Sequence, residues 1–289
     1  MSDPLSNATS TLTVAQALVA AQTTGLDKLD AQLLLLHALG KGADRAWLWG
    51  HDSDVLTPSI QNHWQNLVQR RLNGEPVAYL VGYKEFFGLP LAVDARVLVP
   101  RPDTETLVEW ALALWPEQSQ PQIADLGTGS GAIALALAQA HPEVSLHASD
   151  RSTDALTVAC HNAHTLGLSV QWHTGHWWQA FGEQRFDLVV SNPPYIRDND
   201  PHLSALHAEP LSALTSGPDG LRDLREIIAE AGTHLKSGAW LLLEHGYDQG
   251  PDVAALLRAA GFTHIDHRQD LAGHVRCTGG QWPHPPKAR

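Results

Sequence analysis

The strongest constraint on the fold is an apolar run that enters a glycine-rich loop and continues as a helix. The run begins at Ile123, and residues 133–140 have a helical pattern. Strand, loop and helix in this order open a nucleotide-binding βαβ unit, because glycines let the backbone approach a ligand at the amino end of the helix. Strand-like and helix-like segments alternate from Pro102 onward, which predicts an α/β, Rossmann-like doubly wound sheet. The loop residues are Gly127, Thr128, Gly129, Ser130 and Gly131.

Two classes of cofactor fit this loop. Gly127, Gly129 and Ala132 match the relaxed dinucleotide pattern, and Asp150 ends the next predicted strand at the spacing of a carboxylate that binds a ribose diol. An NAD enzyme is therefore one interpretation. Asp125 favours S-adenosylmethionine, since a carboxylate suits the sulfonium and ammonium of that cofactor better than the two phosphates of NAD. Asp125 can also accept hydrogen bonds from the N–H groups of its own loop.

A second motif follows residues 186–190, which we predict to form a buried parallel strand. The motif is Asn192-Pro193-Pro194-Tyr195, at the carboxyl end of the strand, where α/β sheets bind ligands. Proline fixes φ and has no N–H, so this loop is stiff and holds its carbonyls outward. A carbonyl beside the Asn192 side-chain oxygen matches the two N–H bonds of a planar NH2 group, such as a carboxamide or a nucleobase amino group. An isolated Asn-Pro-Pro can equally be a simple turn.

The two motifs and several further segments resemble the protein-(glutamine-N5) methyltransferases that modify peptide chain release factors, a family of class I S-adenosylmethionine-dependent methyltransferases. The resemblance extends along nearly the whole chain. Many methyltransferases share the glycine loop, and several that act on NH2 groups share the Asn-Pro-Pro-Tyr tetrapeptide. The arginine-containing segment and the Glu-Pro and Asp-Gly-Leu segments narrow the match to this family. The resembling segments are 99–105, 191–196, Glu209-Pro210, Ala213-Leu214, 219–221 and 243–246.

The resemblance implies S-adenosyl-L-methionine as the cofactor and assigns its contacts. The glycine loop would surround the cofactor together with Asp125 and Asn192, and Asp150 would accept hydrogen bonds from the ribose hydroxyls. Trp177 would lie near the adenine, although a core position is an alternative for one of ten tryptophans. The family usually has Asp where His176 stands, which leaves one adenine contact open.

The implied reaction transfers a methyl group to the side-chain amide nitrogen of the glutamine in the Gly-Gly-Gln motif of a release factor. Asn192 and the Pro193 carbonyl would each accept one N–H and favour the charge that develops on the nitrogen. Tyr195 would stack on the amide plane, and Pro194 completes the predicted substrate site. No general base is assigned, because a methylated amide nitrogen loses its proton to water. Glu244 and His245 are interpreted as a strand-end pair that shapes the pocket.

The net charge of the chain bears on whether it acts on nucleic acid or on protein. A DNA adenine or cytosine amino-methyltransferase would also bind a planar NH2 group, but it needs a basic surface and a base-flipping segment. This chain has 19 Lys and Arg against 31 Asp and Glu, a net charge of -12, so we expect no direct nucleic-acid contact and a basic protein partner. A non-catalytic module that binds a translation factor is a third interpretation, and an NAD dehydrogenase is the last.

We predict three parts in the chain. Residues 1–73 form a helical domain that docks the substrate, with a capping box at Thr13 and Gln16 and a later helix that begins at Pro58. Residues 74–100 form a β-hairpin linker of two extended segments, the first starting at Val77 and the second at Phe86. Residues 101–289 form the methyltransferase domain, whose closing strands are segments 239–244, 262–266 and 276–281.

Other sequence features point to an ordinary cytoplasmic enzyme. Two cysteines without a C-x-x-C pattern fit a reducing compartment, and neither a signal peptide nor a membrane span is predicted. The pairs His161/His164 and His173/His176 have no nearby cysteine or clear third ligand, so we assign no metal. Nothing in the sequence requires more than a monomer. Gly-Gly-Gln at 279–281 is interpreted as part of a terminal strand.

Overall fold

The computed structural model describes residues 11–116 and 120–284, and the chain forms two compact units with the boundary between Gly82 and Tyr83. The first unit is helical. The first four of its helices begin at side chains that accept hydrogen bonds from first-turn N–H groups, and Thr13 forms the predicted capping box with Gln16. These helices are α1 (Val14–Thr23), α2 (Lys28–Ala38), α3 (Arg45–Gly50), α4 (Pro58–Leu72) and α5 (Val77–Val81).

The core of the first unit is built around α2. Leu34, Leu35 and Leu36 are consecutive and fully buried, so apolar side chains surround α2 on most of its circumference. Trp64 and Leu67 of α4 belong to the same hydrophobic cluster. The first unit therefore has a core of its own.

The segment 77–81 was predicted to be extended, and this prediction was wrong. It forms the short helix α5, which packs against α2 and α4 with Ala78 and Leu80 buried. The alternation of Val77, Tyr79 and Val81 suggested a strand, but β-propensity is weak and burial on a helical core outweighs it. The hairpin itself is confirmed in a shorter form, with β1 at Tyr83–Phe86 antiparallel to β2 at Leu89–Ala92.

The second unit contains a seven-stranded sheet that confirms the predicted doubly wound α/β fold. The strand order is β5-β4-β3-β6-β7-β9-β8, and β9 runs antiparallel to both of its neighbours. The other pairs, from β5 to β7, are parallel. The strands are β3 (Ile123–Leu126), β4 (Leu146–Asp150), β5 (Gln171–Thr174), β6 (Phe186–Ser191), β7 (Leu235–Glu244), β8 (Thr263–Gln269) and β9 (Val275–Gln281).

Each face of the sheet carries a hydrophobic core. Ile123, Leu188 and Leu242 belong to the cluster formed with α6 and α7, whereas Val189 and Leu241 belong to the cluster formed with α9 and α10. Successive side chains alternate between the two faces of a strand, so nearly continuous apolar strands serve both layers. The helices of this unit are α6 (Glu105–Ala113), α7 (Ala132–Ala140), α8 (Thr153–Leu166), α9 (Arg222–His234) and α10 (Gly250–Ala259). Within the described ranges, no helix has the length and apolarity needed to cross a membrane.

The connections of the sheet create a topological switch point between β3 and β6. The chain leaves β3 toward β4 on one side and returns to β6 on the other side. Leu126 at the end of β3 pairs with Ser191 at the end of β6, so the loops that follow the two strands begin side by side. Such a crevice at the carboxyl ends of parallel strands is where open α/β sheets bind ligands.

Candidate active site

The glycine loop that follows β3 is held open by backbone hydrogen bonds. Gly127 and Thr128 donate their N–H groups to the Ser149 carbonyl of β4 at 2.8 and 2.9 Å. Gly127 has φ +72°, and a Cβ atom there would lie 2.8 Å from the ring of Trp177. Glycine is therefore required at position 127 for its backbone conformation and for the close approach of this ring.

Asp150 lies at the carboxyl end of β4 and faces the crevice. Its carboxylate accepts hydrogen bonds from the N–H groups of Gly129 and Ser152, both at 2.9 Å. Burial raises the pKa of Asp150 above its usual value, and these hydrogen bonds act in the opposite direction. A carboxylate has about four acceptor positions, so this side chain can hold the loop and still accept hydrogen bonds from a ligand.

Two neighbouring cavities meet at Asn192. The first has a volume of about 340 Å³, and its wall includes Gly127, Asp150 and Trp177. The second has a volume of about 310 Å³, and Tyr195 lines it. Both cavities are lined by Asn192 together with Leu98 and Ala213. A molecule in the first cavity can therefore reach a group in the second beside Asn192.

Trp177 belongs both to the wall of the first cavity and to the hydrophobic core. It is buried, adopts φ +43°, and its indole N–H has no hydrogen-bond partner among the described residues. A positive φ is uncommon for a large side chain and indicates that the surroundings fix this conformation. Neighbouring His176 lines the same cavity and places its Nδ1 3.0 Å from the Glu226 carboxylate.

Four predicted cofactor residues, Asp125 at the end of β3 and three members of the loop, do not line the first cavity. They are Asp125, Thr128, Ser130 and Gly131. Asp125 is fully buried and accepts a hydrogen bond of 2.6 Å from the Thr128 hydroxyl, and burial raises its pKa to about 7. Asn162 donates to the Ser130 carbonyl at 2.9 Å. Their direct contact with a cofactor stays a prediction, while their contacts here support the loop.

The loop after β6 carries a hydrogen-bonded group around Asn192. The Asn192 Nδ2 atom donates to the Thr104 hydroxyl at 3.1 Å, and Asn192 Oδ1 accepts no hydrogen bond from any of the residues that the structure describes. The Tyr195 hydroxyl donates to Glu244 Oε1 at 3.3 Å. Burial raises the pKa of Glu244 to about 7 and also raises the pKa of Tyr195.

Two segments that line the first cavity are joined by Glu209. Its buried carboxylate accepts a hydrogen bond from the Val99 N–H at 3.0 Å and forms an ion pair with Arg101. Arg151 adds a hydrogen bond of 3.0 Å to the Ser212 carbonyl. Residues 95–98 and 210–213, which contribute to the cavity wall, are thus tied to each other and to the end of β4.

His245 is buried and does not line either cavity. One ring nitrogen lies 2.8 Å from the Gly246 carbonyl, and the other lies 2.7 Å from the Thr278 hydroxyl. Burial lowers the pKa of His245 to about 4, so the ring is neutral near pH 7. These contacts fit the interpretation of His245 as a structural residue of the strand end.

One cluster has the residue types of a metal site, although its members already have partners. His176, Asp223 and Glu226 place one ligand atom each within 4.8 Å of the others. Asp223 accepts a hydrogen bond of 2.6 Å from Ser216 and lies 3.0 Å from Arg222, while His176 pairs with Glu226. The Asp223 and Glu226 carboxylates thus already have partners within the protein.

Comparisons with known proteins agree with this architecture. Residues 105–215 match the profile of the methyltransferase small domain, and residues 10–82 match that of the PrmC N-terminal domain. The chain is 48% identical over 270 residues to the release factor glutamine methyltransferase of Xylella fastidiosa (strain Temecula1), covering 92% of this chain and 98% of that protein. The chain belongs to the release factor glutamine methyltransferase family.

Two further comparisons extend this result. The release factor glutamine methyltransferase of Bordetella pertussis is 46% identical over 259 residues, covering 89% of this chain and 95% of that protein. The crystal structure of a methyltransferase from Pyrococcus furiosus superimposes with a TM-score of 0.54 at 17% identity, covering 76% of this chain and 100% of that one. That structural likeness supports the fold.

The sequence analysis missed Thr104, which lies next to Asn192. Thr104 lies inside the segment 99–105 that resembles the family, but the sequence assigned it no role. It ends a 3₁₀ turn, Pro102–Thr104, just before α6 and lies beside Asn192, 88 residues later in the sequence. No local sequence pattern connects positions so far apart. The resemblance of segment 99–105 to the family was the signal that could have identified Thr104.

Proposed function

We propose that this chain transfers a methyl group from S-adenosyl-L-methionine to the N5 amide nitrogen of the glutamine in the Gly-Gly-Gln motif of peptide chain release factors. The position of Asn192 carries this proposal, because it lines both cavities and its Oδ1 has no hydrogen-bond partner within the described part of the chain. High coverage of relatives named release factor glutamine methyltransferase supports the substrate class.

The residues around the first cavity fit S-adenosyl-L-methionine. Asp150 offers carboxylate acceptors to ribose hydroxyls, Trp177 offers an apolar ring to the adenine, and Gly127 and Gly129 expose backbone at the loop. A volume of about 340 Å³ suits a small cofactor. When bound, this cofactor supplies an electrophilic methyl group on its sulfonium sulfur.

The protein contributes mainly position and electrostatics. Asn192 Oδ1 and the Pro193 carbonyl accept the two N–H bonds of the glutamine amide and turn its nitrogen toward the first cavity. Hydrogen bonds aimed at a developing positive charge strengthen as the new N–C bond forms and the S–C bond breaks. Tyr195 lines the second cavity and packs on the flat amide group.

The proton of the methylated nitrogen leaves to water in this mechanism. Glu244 and His245 are buried, and neither lines either cavity. A methylated amide nitrogen is acidic enough to lose a proton without a positioned base. The products are S-adenosyl-homocysteine, N5-methylglutamine and one proton.

We assign the parts of the chain to this function as follows. The helical unit that ends at Gly82 docks the folded release factor, and the second unit carries out the transfer. An acidic chain with net charge -12 suits a basic protein surface better than a polyanion. We place the enzyme in the cytoplasm as a monomer, with no direct contact to nucleic acid or membrane.

The deciding experiment measures transfer of labelled methyl from S-adenosyl-L-methionine to three acceptors. These are a release factor, the same factor with its Gly-Gly-Gln glutamine changed to alanine, and duplex DNA. Label on the unaltered factor alone supports the proposal. Label on DNA would favour an amino-methyltransferase of nucleic acid, and label on the altered factor would place the modification on another residue.

A further inference from the structure

The wall of the second cavity, which Asn192 and Tyr195 line, contains one charged side chain among the described residues, that of Arg101. The methyl transfer described above does not use this guanidinium group. The other residues of the wall are uncharged, namely Leu98, Pro193, Ile196, Leu206, Ala213 and Leu214. A charged group in an otherwise uncharged substrate cavity needs a partner or a function.

Arg101 has hydrogen-bond donors that the protein does not use. A guanidinium group carries five N–H bonds in one plane. Nη2 of Arg101 donates to Oε1 of Glu209, and within the described ranges Glu209 is the only hydrogen-bond partner of Arg101. The Arg101 side chain is 37% exposed and lines the second cavity, so its remaining N–H groups are accessible to a ligand there.

Glu209 fixes the position of this guanidinium and offsets its charge. The Glu209 carboxylate is buried and also accepts the Val99 N–H at 3.0 Å, so it is itself held in place. In the proposed function, which this inference assumes, the neighbouring cavity holds a sulfonium cation. The ion pair therefore gives the second cavity N–H donors without a net positive charge that would oppose the transfer of a methyl group from this cation.

The proposed substrate presents carbonyl oxygens to such donors. The two glycines of Gly-Gly-Gln have no side chain and offer main-chain groups alone. A donor on the side-chain carbonyl oxygen of the glutamine would draw electron density from the amide nitrogen, which must attack the methyl group. Carbonyl oxygens of the main chain have no such conflict, so they are the better acceptors for a guanidinium in this cavity.

We propose that Arg101 is a substrate-binding residue that donates to main-chain carbonyl oxygens of the Gly-Gly-Gln segment, with Glu209 holding the guanidinium in place. Asn192 and Pro193 bind the reacting amide, and Arg101 binds the main chain that carries it. This contact is the same before and during the transfer. Its loss therefore weakens binding of the release factor and leaves kcat unchanged.

The first test measures the Kd of a release factor for the enzyme loaded with S-adenosyl-homocysteine, which permits no transfer. Arg101→Met keeps an unbranched apolar side chain and removes every donor. The Kd and the KM for the factor should rise about 10-fold or more, as for the loss of a hydrogen bond from a charged group. The kcat should stay within about 2-fold of the parent. A lower kcat with an unchanged Kd would place Arg101 on the reacting amide and overturn the inference.

A release factor whose Gly-Gly-Gln glutamine is changed to alanine separates main-chain from side-chain binding. This altered factor keeps the main-chain carbonyl oxygens. Arg101→Met should therefore raise its Kd by the same ratio as it does for the unaltered factor. If the effect of Arg101→Met disappears with the altered factor, the contact belongs to the glutamine side chain and the inference is wrong.

Arg101→Lys tests the donors separately from the charge, and it leaves no buried carboxylate without a cation. A lysine paired with Glu209 has its one terminal nitrogen at that carboxylate and lacks the planar fork that reaches a second acceptor. We expect the Kd for the release factor to stay raised, close to that of Arg101→Met. A parental Kd in Arg101→Lys would show that the charge alone is sufficient and would contradict the inference.

Lys236→Met is the matched control, because it also removes the cation from a largely buried carboxylate. Lys236 is 39% exposed, and its partner Asp187 likewise accepts a backbone N–H, that of Gln122 at 2.8 Å. This pair lies near the amino ends of β6 and β7 and lines neither cavity. Lys236→Met should keep the parental Kd and kcat.

Two further outcomes separate this inference from the proposed function. A parental Kd in Arg101→Met, or an equal rise in Arg101→Met and Lys236→Met, would overturn the inference while the proposed function stands. A parent enzyme that labels no release factor would overturn both.

Discussion

At the scale of single residues, the closeness of Gly127 to Trp177 gives a measurable difference between two glycines of one loop. Both Gly127 and Gly129 have positive φ, but only at Gly127 would a Cβ atom meet the tryptophan ring, at 2.8 Å. Gly129→Ala should cost about 1 to 2 kcal/mol of the free energy of unfolding through backbone strain alone. Gly127→Ala should cost about 1 to 3 kcal/mol more through overpacking.

Urea unfolding of the cofactor-free protein checks this comparison. Trp177→Ala removes the ring, so it should reduce the extra cost of Gly127→Ala when the two substitutions are combined. Equal costs for the two glycine variants would show that the ring moves aside freely.

Asn192 permits a second prediction at the residue scale. Asn192→Ala should lower kcat about 10²- to 10³-fold, because one acceptor for the developing charge is lost. The Kd for S-adenosyl-L-methionine should change much less, since the glycine loop, Asp150 and Trp177 remain. Labelled methyl transfer to a release factor and equilibrium binding of the cofactor measure the two effects. A kcat within a few-fold of the parent would argue against a substrate site in which Asn192 Oδ1 and the Pro193 carbonyl each accept one N–H of the amide.

At the scale of elements, Glu209 should hold together the two segments that line the first cavity, residues 95–98 and 210–213. Glu209→Ala leaves the buried Val99 N–H without its 3.0 Å partner, which costs about 1 to 3 kcal/mol. We expect a KM for the cofactor about 10-fold higher and faster proteolysis within residues 95–101. Asp266→Ala is the control, because its ion pair with Arg268 is exposed on both sides. Similar proteolysis of both variants would show that Glu209 does not join the segments.

The end of β7 should make stability depend on pH. The Glu244 carboxyl titrates near 4.5 in the unfolded chain, and burial raises its pKa to about 7 in the folded protein. The folded state therefore binds this proton more tightly than the unfolded chain does. The resulting contribution to the free energy of unfolding is fully present below about pH 4.5 and is lost as pH rises through about 7. Burial also raises the pKa of Asp125, so this carboxyl makes the folded state less stable as pH rises, like Glu244. His245 acts in the opposite direction: its pKa is lowered to about 4 in the folded protein, so the folded state loses stability as pH falls below 6.5, the pKa of the unfolded histidine.

Glu244→Gln isolates the contribution of this carboxyl. The parent should lose about 2 to 3 kcal/mol more than the variant between pH 5 and pH 8, as the difference between the two pKa values implies. Urea midpoints collected at intervals over this range measure the slope. Parallel pH dependences of the two proteins would mean that Glu244 is not responsible.

At the scale of the whole molecule, the sequence predicted the sheet well because its signals are local. The apolar strands, the glycine loop after β3 and the Asn-Pro-Pro-Tyr loop after β6 each lie in one continuous segment, and topology then places the loops together. Two features needed the folded chain. α5 forms because burial against α2 and α4 outweighs an alternating pattern, and Thr104 meets Asn192 only through tertiary structure. Likewise, no local pattern shows that Asp125 is buried and does not line the first cavity.

The division between Gly82 and Tyr83 predicts that residues 83–289 fold without the helical unit and bind S-adenosyl-L-methionine. Both cavities are lined only by residues of this second unit. The fragment should bind the cofactor within about 3-fold of the full chain. Its transfer to a folded release factor should fall far more than its transfer to a short Gly-Gly-Gln peptide. Calorimetry and methyl transfer test the two statements, and an equal fall for both acceptors would remove the docking role of the first unit.

The position of β9 inside the sheet has a consequence for biosynthesis. β9 is synthesised after β7 and β8, yet it lies between them and pairs with both. Until residues 275–281 leave the ribosome, β7 exposes an open edge and β8 has no neighbour in the sheet. A nascent chain can form its glycine loop early, but it cannot close the sheet that supports Glu244. Products truncated before β9 should therefore be substrates for chaperones and proteases rather than partly active enzymes.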